Sequence, residues 1–288
     1  MNTPGYKDFN CDFSIFSKRD ATRENIKNTT AMKFKSTFSE DEFSIPTMLY
    51  EPENSNGNIM LYLHGGGWVK GGIDSHDCLC GKIANALNIR VVSVEYRLAP
   101  QYKFPVALND ALDVYCGLCE KIDFENIVLA GDSSGGNLCA AICIKLREIK
   151  FHHLPSEQIL FYPVLSNNFN SDSFLKFGHE INLTKSMMQW FVYQYTGKDP
   201  EDKEMLNNKL LYPILENDMS VFPKTIIVSA EKDVLFDGQS LFAKKLQNAG
   251  VEVDRITIKD SKHGFMTFGE SHAKYAKVTL DWLKNIRI

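Results

Sequence analysis

Short apolar, β-branched runs alternate along the chain with stretches whose apolar residues recur every three or four positions. Ile59–Leu63, Ile89–Val94, Ile127–Ala130, Ile159–Tyr162, Thr225–Ser229 and Val251–Ile258 read as strands. Between them, Asp74 suits the cap of a helix running to about Leu87, and Pro105 the first turn of another ending near Glu120. Gly250 suits the terminator of a helix over 238–249. A last helix, from about Ser271 to Ile286, places Ala276, Thr279, Leu283 and Ile286 on one side. This alternation predicts a mainly parallel sheet with helices on both faces. Met32–Phe38 and Phe43–Tyr50 resemble a hairpin that adds antiparallel strands at one edge.

Two segments break the alternation. Residues 1–30 precede the sheet. Residues 166–215 intervene between strands and carry a helix starting after Thr184, with Met187, Met188, Phe191, Val192 and Tyr195 inward. Together they are candidates for a lid, although a Met- and aromatic-rich stripe on a helix taken alone is more often ordinary core.

Composition narrows the picture. A chain of 288 residues, 44% hydrophobic, can bury one substantial core, so 1–288 reads as a single domain. With 32 basic and 36 acidic residues the net charge is -4, which leaves no broad footprint for nucleic acid or an anionic membrane. Met1 to Asp20 carries no basic region followed by an apolar run, and no stretch reaches the ~18 apolar residues of a bilayer span. A cytoplasmic protein acting on a small molecule is expected. The seven cysteines are an odd set, read as free thiols. Cys78 with Cys80 and Cys116 with Cys119 invite comparison with a zinc site, but both pairs fall in helical patterns rather than on knuckle turns. Cys139 and Cys143 share another helical pattern, as packed thiols do.

The sharpest local signal is Gly131-Asp132-Ser133-Ser134-Gly135-Gly136, after the strand Ile127–Ala130 and at the opening of a helix with Leu138, Ile142, Leu146 and Ile149. A nucleophile on such a strand–turn–helix elbow needs strained backbone between closely packed elements, hence the flanking glycines. The helix N-terminus aims amides and positive dipole at developing negative charge. A second glycine run, His64-Gly65-Gly66-Gly67-Trp68, follows the strand Ile59–Leu63 and so lies at the same sheet edge. Donors to an oxyanion are drawn from Gly65, Gly66, Gly67 and Ser134, of which Gly66, Gly67 and Ser134 are the best candidates. Losing one such donor typically costs ~3–4 kcal/mol of transition-state stabilisation.

A hydroxyl nucleophile needs a base and a group to orient it. His263 follows the alternating strand Val251–Ile258, which brings it to the same edge, whereas His76, His152, His153, His179 and His272 read as surface or structural. Asp233, after the strand Thr225–Ser229, completes the order Ser, Asp, His, with Glu231 and Asp237 as nearby competitors. The glycines also permit a dinucleotide-binding reading: Gly65, Gly67 and Gly71 follow a strand and Glu95 ends the next one. GxGxxG fails because Lys70 stands at its third glycine, and no Tyr-x-x-x-Lys pair accompanies the longer spacing.

With Glu95-Tyr-Arg-Leu-Ala-Pro100, Phe104-Pro105, Tyr162-Pro163, Asp233-Val-Leu-Phe-Asp237, Ala249-Gly-Val251 and His263-Gly-Phe265 added to the two glycine motifs, the chain resembles the hormone-sensitive-lipase-like branch of α/β-hydrolases, which includes bacterial carboxylesterases and arylacetamide deacetylases. The resemblance implies a mostly parallel sheet of about eight strands, a small helical lid built from the N-terminus and the later insertion, and hydrolysis of short- to medium-chain acyl or aryl esters through an acyl-enzyme. It implies no metal or organic cofactor. Ser133 is the expected nucleophile, His263 the base and Asp233 its partner; Trp68, Met187, Met188 and Phe191 are expected to contact substrate. A homodimer is left open. The chain departs from the commoner pattern at Ser134, usually Ala, and at Val234-Leu235-Phe236, usually Pro-Leu-Arg. Two other outcomes are carried forward: an amide or formamide hydrolase such as an arylformamidase, and a non-catalytic ligand receptor, against which retention of His263 argues.

Overall fold

Each apolar run forms a strand because its residues are buried on both sides, and alternate positions feed two cores. The computed structural model describes residues 29–35, 37, 43–179, 183–267 and 269–286. Eight strands form one sheet: β1 (Thr29–Lys35), β2 (Ser44–Tyr50), β3 (Ile59–Leu63), β4 (Arg90–Val94), β5 (Ile127–Asp132), β6 (Glu157–Phe161), β7 (Lys224–Lys232) and β8 (Val253–Lys262). Their order is β1-β2-β4-β3-β5-β6-β7-β8. The β1–β2 and β2–β4 pairs are antiparallel and all others parallel, which places the expected hairpin at one edge.

Ile59, Leu61 and Leu63 of β3 face one core, together with Leu108 and Leu112 of α2 (Val106–Lys121), Leu138 and Ile142 of α3 (Ser134–Glu148), and Phe242 and Leu246 of a helix at Phe236–Asn248. Met60 and Tyr62 face the other, with Leu79 and Ile83 of α1 (Ile73–Leu87) and Leu280 and Leu283 of the last helix, Gly269–Leu283. Each fully buried Leu or Ile in these layers is worth about 1.5–3 kcal/mol relative to exposure. Period-2 alternation thus divides the side chains between the faces, and parallel pairing brings the C-terminal ends of β3, β5, β7 and β8 to one edge.

Some local expectations shift. Asp74 lies in the first turn of α1 rather than at its cap. The N-terminal position is Gly72, whose amide donates to Ser75 Oγ at 3.0 Å, while the Ile73 amide donates to Glu95 Oε2 at 2.7 Å. Glu95, considered above as a ribose-binding acid, is therefore spent on a helix start. Thr29 and Thr30 belong to β1; the rest of the N-terminal lid candidate lies outside the described residues, as does Cys11. Cys80 packs in the α1 core while Cys116 and Cys119 pack in the α2 core, so the two pairs stand on opposite faces of the sheet and cannot share one ion. Cys139 and Cys143 are buried, as expected. Among the described residues, no helix is long and apolar enough to cross a membrane.

Candidate active site

The elbow follows from close packing. Ser133 connects β5 to α3 at φ 53°, ψ -116°, a conformation that L-residues seldom adopt. It is held there by its amide, donating to the Phe161 carbonyl at 2.8 Å, and by its carbonyl, accepting from Asn137 and Val164 at 3.1 and 3.2 Å. A Cβ at Gly131 would stand 2.6 Å from the Gly135 carbonyl carbon, so strand and helix meet only without side chains there.

Ser133, His263 and Asp233 meet at this edge. His263 Nε2 lies 2.9 Å from Ser133 Oγ, and His263 Nδ1 lies 2.8 Å from Asp233 Oδ2. Asp233 is 1% exposed, and its Oδ1 accepts from the Leu235 amide at 3.0 Å. With Nδ1 donating to the carboxylate, Nε2 presents its lone pair to the serine hydroxyl. The competing carboxylates are engaged elsewhere: Asp237 accepts from the Ser173 amide at 2.7 Å, and Glu231 from the Asp260 amide at 2.8 Å. Tyr162 braces the imidazole edge-on, ring centroids 4.9 Å apart, and its hydroxyl accepts from the Met266 amide at 3.2 Å.

The glycine loop lies alongside. Gly66 and Gly67 adopt φ 129° and 63°, and among the described residues no hydrogen bond occupies their amides or that of Ser134. Gly65 differs from the expectation: its amide donates to Asp132 Oδ1 at 2.8 Å and so is not available to an oxyanion. His64 is stacked on Tyr96, ring centroids 4.0 Å apart, with Nδ1 2.9 Å from the Gly65 carbonyl, and burial pushes its pKa down to about 3. It is a neutral spacer of the loop, which suits a motif residue that touches no reacting atom.

The insertion sits against this loop. Thr184 caps α5 (Lys185–Thr196) by accepting from the Met187 amide, the fourth and shorter helix α4 (Asp172–Phe177) precedes it, and α6 (Lys203–Leu206) follows. Phe191 packs so closely on Gly67 that a Cβ there would stand 2.2 Å from its ring. Met188 is buried and Met187 half-buried. Trp68, expected to contact substrate, is instead 0% exposed and stacked on Tyr195 at 4.6 Å; it roots α5 in the core rather than facing a pocket. A shallow recess of about 10 Å³, room for roughly one water, lies beside Asp233 and His263 and is lined in part by Phe177 and Leu183 of the insertion.

Residues that the sequence did not single out complete the site. Asp132 is 3% exposed; burial opposes its ionisation, but His76, Tyr62 and the Gly65 amide outweigh burial and hold its carboxyl below the usual carboxylate range. His76, read as surface or structural, is buried beside it. Asn137 donates to the carbonyls of Val164 and Leu211 at 3.0 and 2.9 Å, tying α3 to both ends of the insertion. Its place one turn after the nucleophile is the only local clue, and it does not disclose the partners.

Comparison with known proteins agrees with this architecture. Residues 60–267 match a family described as having the α/β-hydrolase fold. The chain is 33% identical over 238 residues to the ethyl acetate hydrolase of Pseudomonas putida, covering 80% of this chain and 74% of that one. It is 32% identical over 235 residues to the carboxylic ester hydrolase LipN of Mycobacterium tuberculosis, covering 77% of this chain and 61% of that protein's length. The solved structure of an esterase from Pyrobaculum calidifontis matches with a TM-score of 0.80 at 29% identity, over 90% of this chain and 86% of that one. From its motifs, its sheet and these relatives, the chain belongs to the α/β-hydrolase-fold family, in its hormone-sensitive-lipase-like esterase branch.

Proposed function

We propose that this enzyme is a serine carboxylesterase acting on short- to medium-chain acyl or aryl esters. The observation that carries the reading is the relay from Ser133 Oγ through His263 to Asp233, with both contacts under 3 Å. His263 takes the Ser133 proton as Oγ attacks the ester carbonyl, and Asp233 stabilises the imidazolium that forms. The tetrahedral oxyanion accepts from the amides of Gly66, Gly67 and Ser134. Collapse breaks the bond to the alcohol oxygen, which leaves with the proton from His263. Water, deprotonated by the same imidazole, then attacks the acyl-Ser133 ester, and a second collapse releases the carboxylic acid and restores the hydroxyl. Apart from the ester and water, each step uses only groups of the chain.

The 166–215 insertion acts as a lid over this edge. Packing of Phe191 on Gly67, and Phe177 and Leu183 beside His263, supports that role for the insertion. The names of the relatives support an ester as the scissile bond. Turnover of aryl esters with acyl chains from two to sixteen carbons, with an N-formyl aromatic amide in parallel, tests the reading. Rates highest at short to medium chains, and lost in Ser133→Ala, are expected; faster cleavage of the formamide transfers the site to amide hydrolysis.

A further inference from the structure

Beneath the active site lies a carboxylate that the acyl-transfer steps do not use. Asp132, the residue before the nucleophile, is buried, and its Oδ1 accepts from the Gly65 amide at 2.8 Å and the Tyr62 hydroxyl at 3.0 Å. His76 Nε2 lies 3.1 Å from the same oxygen. The partners come from the glycine loop, the end of β3 and α1, so one side chain of the nucleophile strand joins three elements. His76 is oriented in turn by Ser75, whose Oγ lies 2.8 Å from Nδ1 and donates to the Gly72 carbonyl at 2.9 Å.

Burying a carboxylate carries a desolvation penalty that an apolar side chain of similar size avoids, so packing alone does not account for it. Its strongest backbone contact is to the peptide just before the two glycines whose amides are unoccupied. The fit is close: a Cβ at Gly65 would stand 2.2 Å from Asp132 Oδ2. The first glycine of the loop is thus required by this carboxylate and not by substrate. On the preceding residue, the Tyr96 hydroxyl donates to the His64 carbonyl at 2.6 Å, which fixes the loop at a second point.

We infer that Asp132, backed by Tyr62 and His76, is the positioning residue of the oxyanion hole: it locks the Gly65 peptide to the nucleophile strand and so aims the Gly66 and Gly67 amides. This rests on the esterase reading above. Donors must stand within a few tenths of an ångström of the developing oxyanion, while the ground-state ester depends on them far less. Loosening the anchor therefore lowers kcat and leaves KM in place.

Three variants test the inference: Asp132→Asn, Tyr62→Phe and His76→Asn. For each, kcat and KM on an aryl ester are measured beside the inhibition constant of an aryl trifluoromethyl ketone, whose adduct with Ser133 carries the oxyanion. The expected result is a kcat lower by ~10-fold in Tyr62→Phe and His76→Asn and by ~100-fold in Asp132→Asn, with KM within about 2-fold. Ketone affinity falls by the same factor as kcat/KM, and in Tyr62→Phe the pH midpoint of kcat stays at its wild-type value because neither His263 nor the buried charge is altered. Should Asp132→Asn not fold, the other two decide, since each removes one partner of the carboxylate and leaves the Gly65 bond. An active wild type with wild-type kcat and ketone affinity in Tyr62→Phe and His76→Asn, or with losses confined to KM, overturns the inference alone. A wild type that neither turns over aryl esters nor reacts with the ketone overturns the esterase reading, and the inference with it.

Discussion

Gly135, in the first turn of the nucleophile helix, lies so close to Leu63 at the end of β3 that a Cβ on it would stand 1.9 Å from the Leu63 carbonyl oxygen. The obstacle is backbone on a central strand and cannot rotate away. A Cβ on Gly131 would stand 2.7 Å from the same oxygen. Elbow and the start of the glycine loop are thus packed backbone to backbone, which holds the Ser133 hydroxyl and the loop at the same sheet edge.

Gly135→Ala is therefore expected to destabilise the fold by ~3 kcal/mol or more, since α3 must withdraw from β3. Urea unfolding of the variant beside wild type measures it; an unchanged midpoint would show that the contact yields cheaply.

Asp233→Asn keeps the shape of the carboxylate but presents an amide that can favour the wrong imidazole tautomer. A fall in kcat of ~10⁴-fold with a native circular dichroism spectrum is expected. A loss under about tenfold would mean that another group orients His263.

Gly67 and Phe191 are expected to be coupled. Phe191→Ala alone costs ~3–5 kcal/mol as a large buried ring is lost. Gly67→Ala alone suffers both the ring clash and its φ of 63°. Removing the ring relieves the clash, so the double variant should be more stable than the sum of the single losses by ~1 kcal/mol or more. Additive losses in a thermal unfolding series would refute the contact.

His64 gives the fold a pH dependence. Its folded pKa of about 3 is below the ordinary histidine value of 6.5, so the folded chain keeps this ring neutral where the unfolded chain protonates it. The resulting stability is fully present above about pH 6.5 and is lost as pH falls through the window down to about 3, at ~1.4 kcal/mol per unit. Between pH 6 and pH 4, His64→Gln should show an unfolding free energy that falls less steeply than wild type by that slope. Parallel slopes would mean that the ring is already charged in the folded chain.

The sheet, its order of helices and the meeting of Ser133, Asp233 and His263 at one edge were legible because each depends on local pattern. Short continuous apolar runs mark β3 and β5, glycines mark the elbow, and chain order picks Asp233 and His263. The anchoring layer was not legible. Asp132 carries no role of its own in the sequence motif, and His76 reads as surface or structural, until folding brings β3, β5 and α1 together. Gly65 was misassigned for the same reason: a glycine needed for a buried carboxylate looks like one needed for substrate. Trp68 follows the glycine loop in sequence, but its positive φ of 61° turns the indole inward onto Tyr195. Asp74 is a good cap by type, yet Glu95, from the end of the neighbouring strand, reaches the helix start from outside it.

Intact-protein mass spectrometry after exposure to an aryl organophosphonate, with peptide mapping of the adduct, reports whether Ser133 is the nucleophile. One phosphonyl group per chain on Ser133 is expected, absent in Ser133→Ala and formed far more slowly in His263→Ala, with ester hydrolysis lost in step. Undiminished hydrolysis by Ser133→Ala, or an adduct mapped to another residue with Ser133 unmodified, would contradict the account.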